Sequence, residues 1–149
     1  MKMLTVIVTL IFIVGCDFNI KMSDKIIDSK CSTNNTCVIS IDDFTDFEWD
    51  KMVFFQVGSS NTEISNALGI EYTGQTDLMS GMIFVLKNKV VHEERVPYDP
   101  EHPNKLQYTI EKKPKDPNYV IFTSKKAELE GKREKIDGVL YYTFIAKKE

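Results

Sequence analysis

Lys51-Met52-Val53-Phe54-Phe55-Gln56-Val57 is apolar on both parities, with Met52 and Phe54 on one and Val53, Phe55 and Val57 on the other. A strand with one wet face alternates, so this run predicts a central strand over 51–57 covered on both sides. Three residues further on, Ser60-Asn61-Thr62-Glu63 has the Ser-x-x-Glu form of a capping box, and Ile64, Ala67 and Leu68 follow at helical spacing until Gly69 stops the run. Asn61 to Leu68 is therefore expected to be a short helix.

Downstream the pattern turns to strands. Tyr72 to Ser80 reads as a polar loop and Met82 to Leu86 as a second continuous apolar strand. Lys87-Asn88-Lys89 is short enough to turn a hairpin into Val90 to Val96, which leads to a proline-rich loop over 97–103. Leu106, Tyr108 and Ile110 alternate with Gln107, Thr109 and Glu111, as in a strand with one wet face. Pro114 and Pro117 end that element, and Tyr119 to Thr123 begins the next. Ser124 to Lys135 fits either a helical turn or a half-exposed strand, whereas Asp137-Gly138 is a turn signal before the tyrosine-rich run Val139 to Ile145. Upstream, Val38, Ile39 and Ile41 make a brief β run, and Asp42 to Glu48 reads as a turn or short helical segment. The expected architecture is α+β: an antiparallel sheet of about five to seven strands with one or two short helices.

The N-terminus carries a different kind of signal. Lys2 supplies a positive charge, Met3 to Val14 an apolar run, and Gly15 a small residue at a cleavage position. A permanent membrane span needs about 17 to 25 apolar residues, more than this run offers. Ile13-Val14-Gly15-Cys16 resembles the lipobox of bacterial lipoproteins, which implies cleavage after Gly15 and acylation of Cys16. More than one acyl chain gives a stable hold on a bilayer, where a single chain gives a marginal one. Asp17 resembles the retention signal that keeps lipoproteins of enteric-type Gram-negative bacteria in the inner membrane, facing the periplasm. The chain thus divides into a cleaved signal peptide, 1–15, a flexible tether, 16–30, and a single α+β domain, 31–149.

Removing residues 1–15 leaves 134 of the 149 residues, a length that suits one core. The full chain has net charge −3, so nothing global recommends nucleic acid as a partner. Charge is uneven: residues 16–104 hold 15 acidic and 7 basic side chains, and residues 105–149 hold 7 acidic and 11 basic. With Cys16 lipidated, Cys31 and Cys37 remain as an even pair around a polar loop, and a disulfide between them is expected in an oxidising compartment.

Asp42, Asp43, Asp46, Glu48 and Asp50 place five carboxylates within nine residues. The segment lacks the closing Glu and permissive glycine of a calcium loop, so these residues, with Trp49, are candidates for solvating a turn or for contacting a basic protein partner. His92 and His102 are ten residues apart with no third ligand at zinc spacing, and both are expected at the surface. No Gly-x-Ser-x-Gly elbow, Ser-x-x-Lys pair or glycine-rich phosphate loop occurs. No catalytic residue, metal site or cofactor is assigned, and Asp50, Glu48 or His92 acting as acid or base is the residual catalytic reading.

Phe47-Glu48-Trp49-Asp50-Lys51-Met52-Val53-Phe54-Phe55, with the helix Asn61 to Leu68 and Gly69 after it, resembles the aromatic-x-Trp-Asp-Lys segment of small uncharacterised bacterial lipoproteins. The likeness spans about the middle third of the chain. It implies an envelope lipoprotein with a compact α+β domain and brings no catalytic residues with it. Trp49 reads as a core or lid side chain, and Asp50 and Lys51 as a pair fixing the strand entrance. The functional expectation is a membrane-anchored, non-catalytic binding or inhibitory module in the bacterial envelope, one form of it being immunity to a delivered toxin. The alternative is an accessory structural subunit of an envelope complex.

Overall fold

A computed structural model describes residues 22–43 and 45–148. The signal segment, Cys16, Asp17 and the expected tether as far as residue 21 lie outside the described residues. In chain order the elements are α1 (Met22–Lys30), β1 (Asn35–Ser40), a 3-10 turn (Ile41–Asp43), β2 (Lys51–Phe55), α2 (Asn61–Leu68), β3 (Met79–Leu86), β4 (Lys89–Pro97), β5 (Leu106–Glu111), β6 (Tyr119–Thr123), β7 (Glu128–Ile136) and β8 (Val139–Lys147).

The strands form two four-stranded sheets, ordered β1-β7-β8-β5 and β4-β3-β2-β6. The mixed α+β class is as expected, but eight strands in two sheets replace the single sheet of five to seven. One pair, β5 with β8, is parallel, and the others are antiparallel. Met52 and Phe54 of β2, with Met82 and Phe84 of β3, face a core shared with Ile39, Tyr108, Leu129 and Phe144 of the other sheet. Val53, Phe55, Ile83 and Val85 face the opposite way, against Ile64, Ala67 and Leu68 of α2. Both parities of β2 are therefore buried, as its composition requires. Full burial of each phenylalanine stabilises the fold by about 2 to 3 kcal/mol. The strand is shorter than expected because Gln56 leaves it to accept from the Ile110 N–H at 2.8 Å and donate to Asn118 at 3.1 Å, tying one sheet to the other.

The helix α2 has its capping box: Ser60 Oγ accepts from the Glu63 N–H at 3.2 Å, and Glu63 accepts from the Ser60 N–H at 2.9 Å. Gly69 closes it at φ +75°, a left-handed conformation that glycine adopts without steric cost. Burial slightly opposes ionisation of Glu63, and the two Ser60 bonds outweigh it, the backbone N–H most, holding its carboxyl below the usual range.

One expectation about the start of the domain is corrected, and one segment left open is resolved. Residues 22–30, read as tether, form α1, because Ile26 and Ile27 find a place in the inter-sheet core. Of Ser124 to Lys135, left open between a helical turn and a half-exposed strand, the part from Glu128 onward belongs to β7. Gly131 faces Cys37 across the β1 pairing, where a β carbon would stand 2.4 Å from Ile39 Cδ1 and 2.9 Å from Cys31 Sγ. The Cys31–Cys37 disulfide, Cα to Cα 5.3 Å, fills the space a side chain at 131 would take. Among the described residues no helix is long and apolar enough to cross a membrane.

Candidate functional site

The acidic segment joins β1 to β2 across the end of the sandwich. Ile41 plugs it into the core, its N–H bonded to the Ala127 carbonyl at 2.8 Å. Further on, Phe47 and Trp49 both set ring edges against Phe84, at centroid distances of 5.3 and 5.4 Å. Trp49 Nε1 donates to Thr45 Oγ1 at 3.3 Å, and the indole is buried. With Phe47 and Trp49 turned inward, Asp46, Glu48 and Asp50 alternate outward and are exposed, as are Asp42 and Asp43.

The five carboxylates have different tasks. Asp43 pairs with Lys30 at 3.3 Å, and Asp50 accepts from the Lys87 N–H at 2.9 Å, fixing the β3–β4 turn. Asp50 and Lys51 do not pair, because neighbours on an extended chain point apart. Lys51 Nζ instead donates to the Leu68 carbonyl at 2.9 Å, where a cation complements the C-terminal end of α2. Asp42, Asp46 and Glu48 have no hydrogen-bond or ion-pair partner among the described residues. Asp42, Glu48 and Trp49 come together with Thr45, Phe47 and Leu86 around a shallow concavity of about 400 Å³. Among the described residues no three His, Cys, Asp or Glu side chains converge as a metal site would require.

A second polar cluster escaped the sequence reading. Glu94, on the inner face of β4, is buried and accepts from Ser23 Oγ, from the Ser23 N–H at 3.4 Å and from Tyr108 Oη at 3.1 Å. Ser23 Oγ and Tyr108 Oη lie 2.9 Å apart, and His92 Nε2 stands 3.6 Å from the other Glu94 oxygen. Burial works to raise the Glu94 carboxyl, but His92, Ser23 and Tyr108 outweigh it and hold the group below the usual carboxylate range. His92 is partly buried between Phe47 and Phe84 rather than at the surface, at ring distances of 5.0 and 5.9 Å. His102 is exposed beside Asp99. The carboxylate sits between serine and imidazole, whereas an activated serine needs the imidazole in the middle, and Ser23 is fully buried. The arrangement fastens the first turn of α1 to β4 and β5, with an anion at a helix N-terminus.

On the opposite face of β4, Glu93 accepts from Tyr72 Oη at 2.7 Å and pairs with Arg95 at 2.9 Å, while Arg95 donates to the Gln75 carbonyl at 3.0 Å. Burial, reinforced by Glu93, pushes the Tyr72 phenol far above its ordinary value. These bonds hold the loop after α2 against the sheet. Compared with family models, with curated proteins and with solved structures, the chain finds no match in any of the three.

Proposed function

We propose that the protein is a lipid-anchored lipoprotein of the bacterial envelope whose domain is a non-catalytic binding or inhibitory module for a basic protein partner. The observation that carries this reading is the ribbon of carboxylates over 42–50, held outward by two inward aromatic anchors, in which Asp42, Asp46 and Glu48 have no partner among the described residues. Like charges crowded on a rigid support gain most from a cationic surface arriving from outside, and they steer its approach. The sharpest form is immunity: a cell holds this domain at its inner membrane, facing the periplasm, and occludes a toxin delivered by a competitor.

Capture from native envelopes tests the reading, with the tagged full chain set against an Asp42→Lys/Glu48→Lys variant. Recovery of one basic protein by the wild type and its loss by the variant is expected. Equal recovery by both, or recovery of a resident membrane assembly, refutes the acidic ribbon as a toxin-facing surface. Cys16→Ser tests the anchor separately, since it abolishes labelling by a palmitate analogue if Cys16 is the acylated residue.

A further inference from the structure

The strand β6 is apolar and uncovered. It reads Tyr119-Val120-Ile121-Phe122-Thr123, without proline, glycine or charge, yet none of its residues is buried and Ile121 is 48 % exposed. It ends its sheet, pairing with β2 alone. The Asn118 carbonyl takes the Gln56 N–H at 3.0 Å, and bonded positions alternate along an antiparallel ladder, so Val120 and Phe122 bond to β2 while Tyr119, Ile121 and Thr123 turn their N–H groups to the open side. The Thr123 carbonyl accepts from the Lys126 N–H at 3.2 Å, and among the described residues no hydrogen bond reaches the other main-chain groups on that side. Beside the edge runs a groove of about 740 Å³, with Ile121 and Phe122 on one wall and Val38, 70 % exposed, on the other.

Charge decides what this edge accepts. The stretch 112–126 brackets the strand with Lys112, Lys113 and Lys115 before it and Lys125 and Lys126 after it, against Asp116 alone. Among the described residues none of these lysines has an ion-pair partner, and Lys112 Nζ donates to the Asp116 main-chain carbonyl at 2.9 Å. Across the groove Lys147 pairs with Glu130 at 2.8 Å, and Lys148 stands with Asp42 and Glu128, so the far wall offsets only a small part of that excess. Two copies of β6 laid edge to edge bring their lysines together, and a second copy is repelled. An extended segment carrying carboxylates is attracted by the same cations. The other edges do not suit it. β4 carries Glu93, Glu94 and Pro97, whose carbonyl Asn104 occupies, the Ile110 N–H of β5 is taken by Gln56 at 2.8 Å, and β1 runs into Asp42 and Asp43.

We infer that the open edge of β6 binds an extended acidic segment of a protein partner by strand addition. Main-chain bonds form to Tyr119, Ile121 and Thr123, and carboxylates at the ends of the added strand meet the bracketing lysines. This goes beyond the reading above: the acidic ribbon faces a basic surface and β6 an acidic strand, so the failure of either contact leaves the other standing.

The test uses the full chain in neutral detergent, with two short fluorescein-labelled peptides as probes, one alternating valine with glutamate and one alternating valine with lysine. Anisotropy should show the glutamate peptide binding at least about tenfold more tightly than the lysine peptide. Ile121→Pro deletes an N–H on the open side and leaves the β2 ladder its donors, so Trp49 fluorescence should report a folded domain while affinity falls at least about tenfold; Ile121→Val, which keeps the donor, should stay within about twofold of wild type. Lys125→Glu/Lys126→Glu, confined to exposed side chains, should weaken the glutamate peptide about tenfold. The infrared carbonyl band of an isotope-labelled glutamate peptide moves to the strand position on pairing and settles the point without any variant. No binding of the glutamate peptide, equal binding of both peptides, or an unmoved band overturns the inference. Affinity that falls in the lysine variant and is unchanged in Ile121→Pro reveals a charge patch of the kind anionic headgroups would also meet, and overturns strand addition. Sedimentation as a dimer that Ile121→Pro abolishes assigns the edge to a second copy and overturns it also.

Discussion

Replacing Glu94 with alanine removes the acceptor that fastens α1. The carboxylate takes the Ser23 N–H, the Ser23 hydroxyl and the Tyr108 hydroxyl, and it is buried. A hydrogen bond to a buried charge contributes about 1.5 to 3 kcal/mol. Three such bonds are offset by the cost of burying the charge and by the Ser23–Tyr108 contact at 2.9 Å, which survives the substitution. A net loss of about 3 kcal/mol is expected, read by urea unfolding with Trp49 fluorescence and by new protease sensitivity in 22–30. Loss below about 1 kcal/mol with α1 still protected would refute the fastening role. Glu94→Gln, which keeps the shape and drops the charge, should cost about half as much and adds a test of sign. The folded carboxyl lies below its ordinary value, so its contribution is complete above the unfolded carboxyl, near pH 4.3, and is lost as pH falls toward the folded one. The stability gap between wild type and Glu94→Gln must narrow between about pH 5 and pH 3, and a widening gap would contradict the geometry.

Cys31→Ala/Cys37→Ala opens a short loop and should lower stability by about 2 kcal/mol in urea, with no effect of reductant on the variant. Gly131→Ala forces a methyl against Ile39 and the disulfide and should cost about 2 kcal/mol, part of which Ile39→Val in the same chain restores. Ser60→Ala removes the hydroxyl half of the capping box, leaving the backbone N–H to Glu63, and should cost about 1 kcal/mol, visible as earlier hydrogen exchange in α2 than in β2.

What was legible in the sequence was what local chemistry decides. The unbroken apolar run at 52–55 demanded two covers and has them, one from the other sheet and one from α2. Ser60 and Glu63 capped their helix, and Asp137-Gly138 turned its hairpin, because each of these needs only near neighbours. What was illegible depends on distant chain. Ile26 and Ile27 are adjacent and carry no period, so α1 takes its stability from docking on elements about 70 to 115 residues away. β7 hides its alternation because one inward position is Gly131, whose missing side chain is supplied by a disulfide from another strand. Glu93 and Glu94 look alike in sequence, yet the pleat sends one to Tyr72 and Arg95 and the other to the core. The acidic segment was read as a cluster, and its division of labour appeared only when Lys30, Lys87 and Phe84 were in place.

On the lipid-anchor reading proposed above, the folding of residues 22–30 changes what an anchor on Cys16 does. A tether over 16–30 spans about 50 Å when extended and leaves the domain free to tumble above its lipid. With α1 docked at one end through Ser23 to Glu94 and further along through Asp28 to Arg133 and Tyr142, the free length falls to about 20 Å. A leash that short cannot present every face of the domain to an approaching partner, so the bilayer shields some surfaces and exposes others. On that reading an anionic membrane repels the acidic ribbon, which follows Ser40 at the Glu128 end of β7. Helix docking and carboxylate presentation are then one arrangement, and loosening Glu94 should release both together.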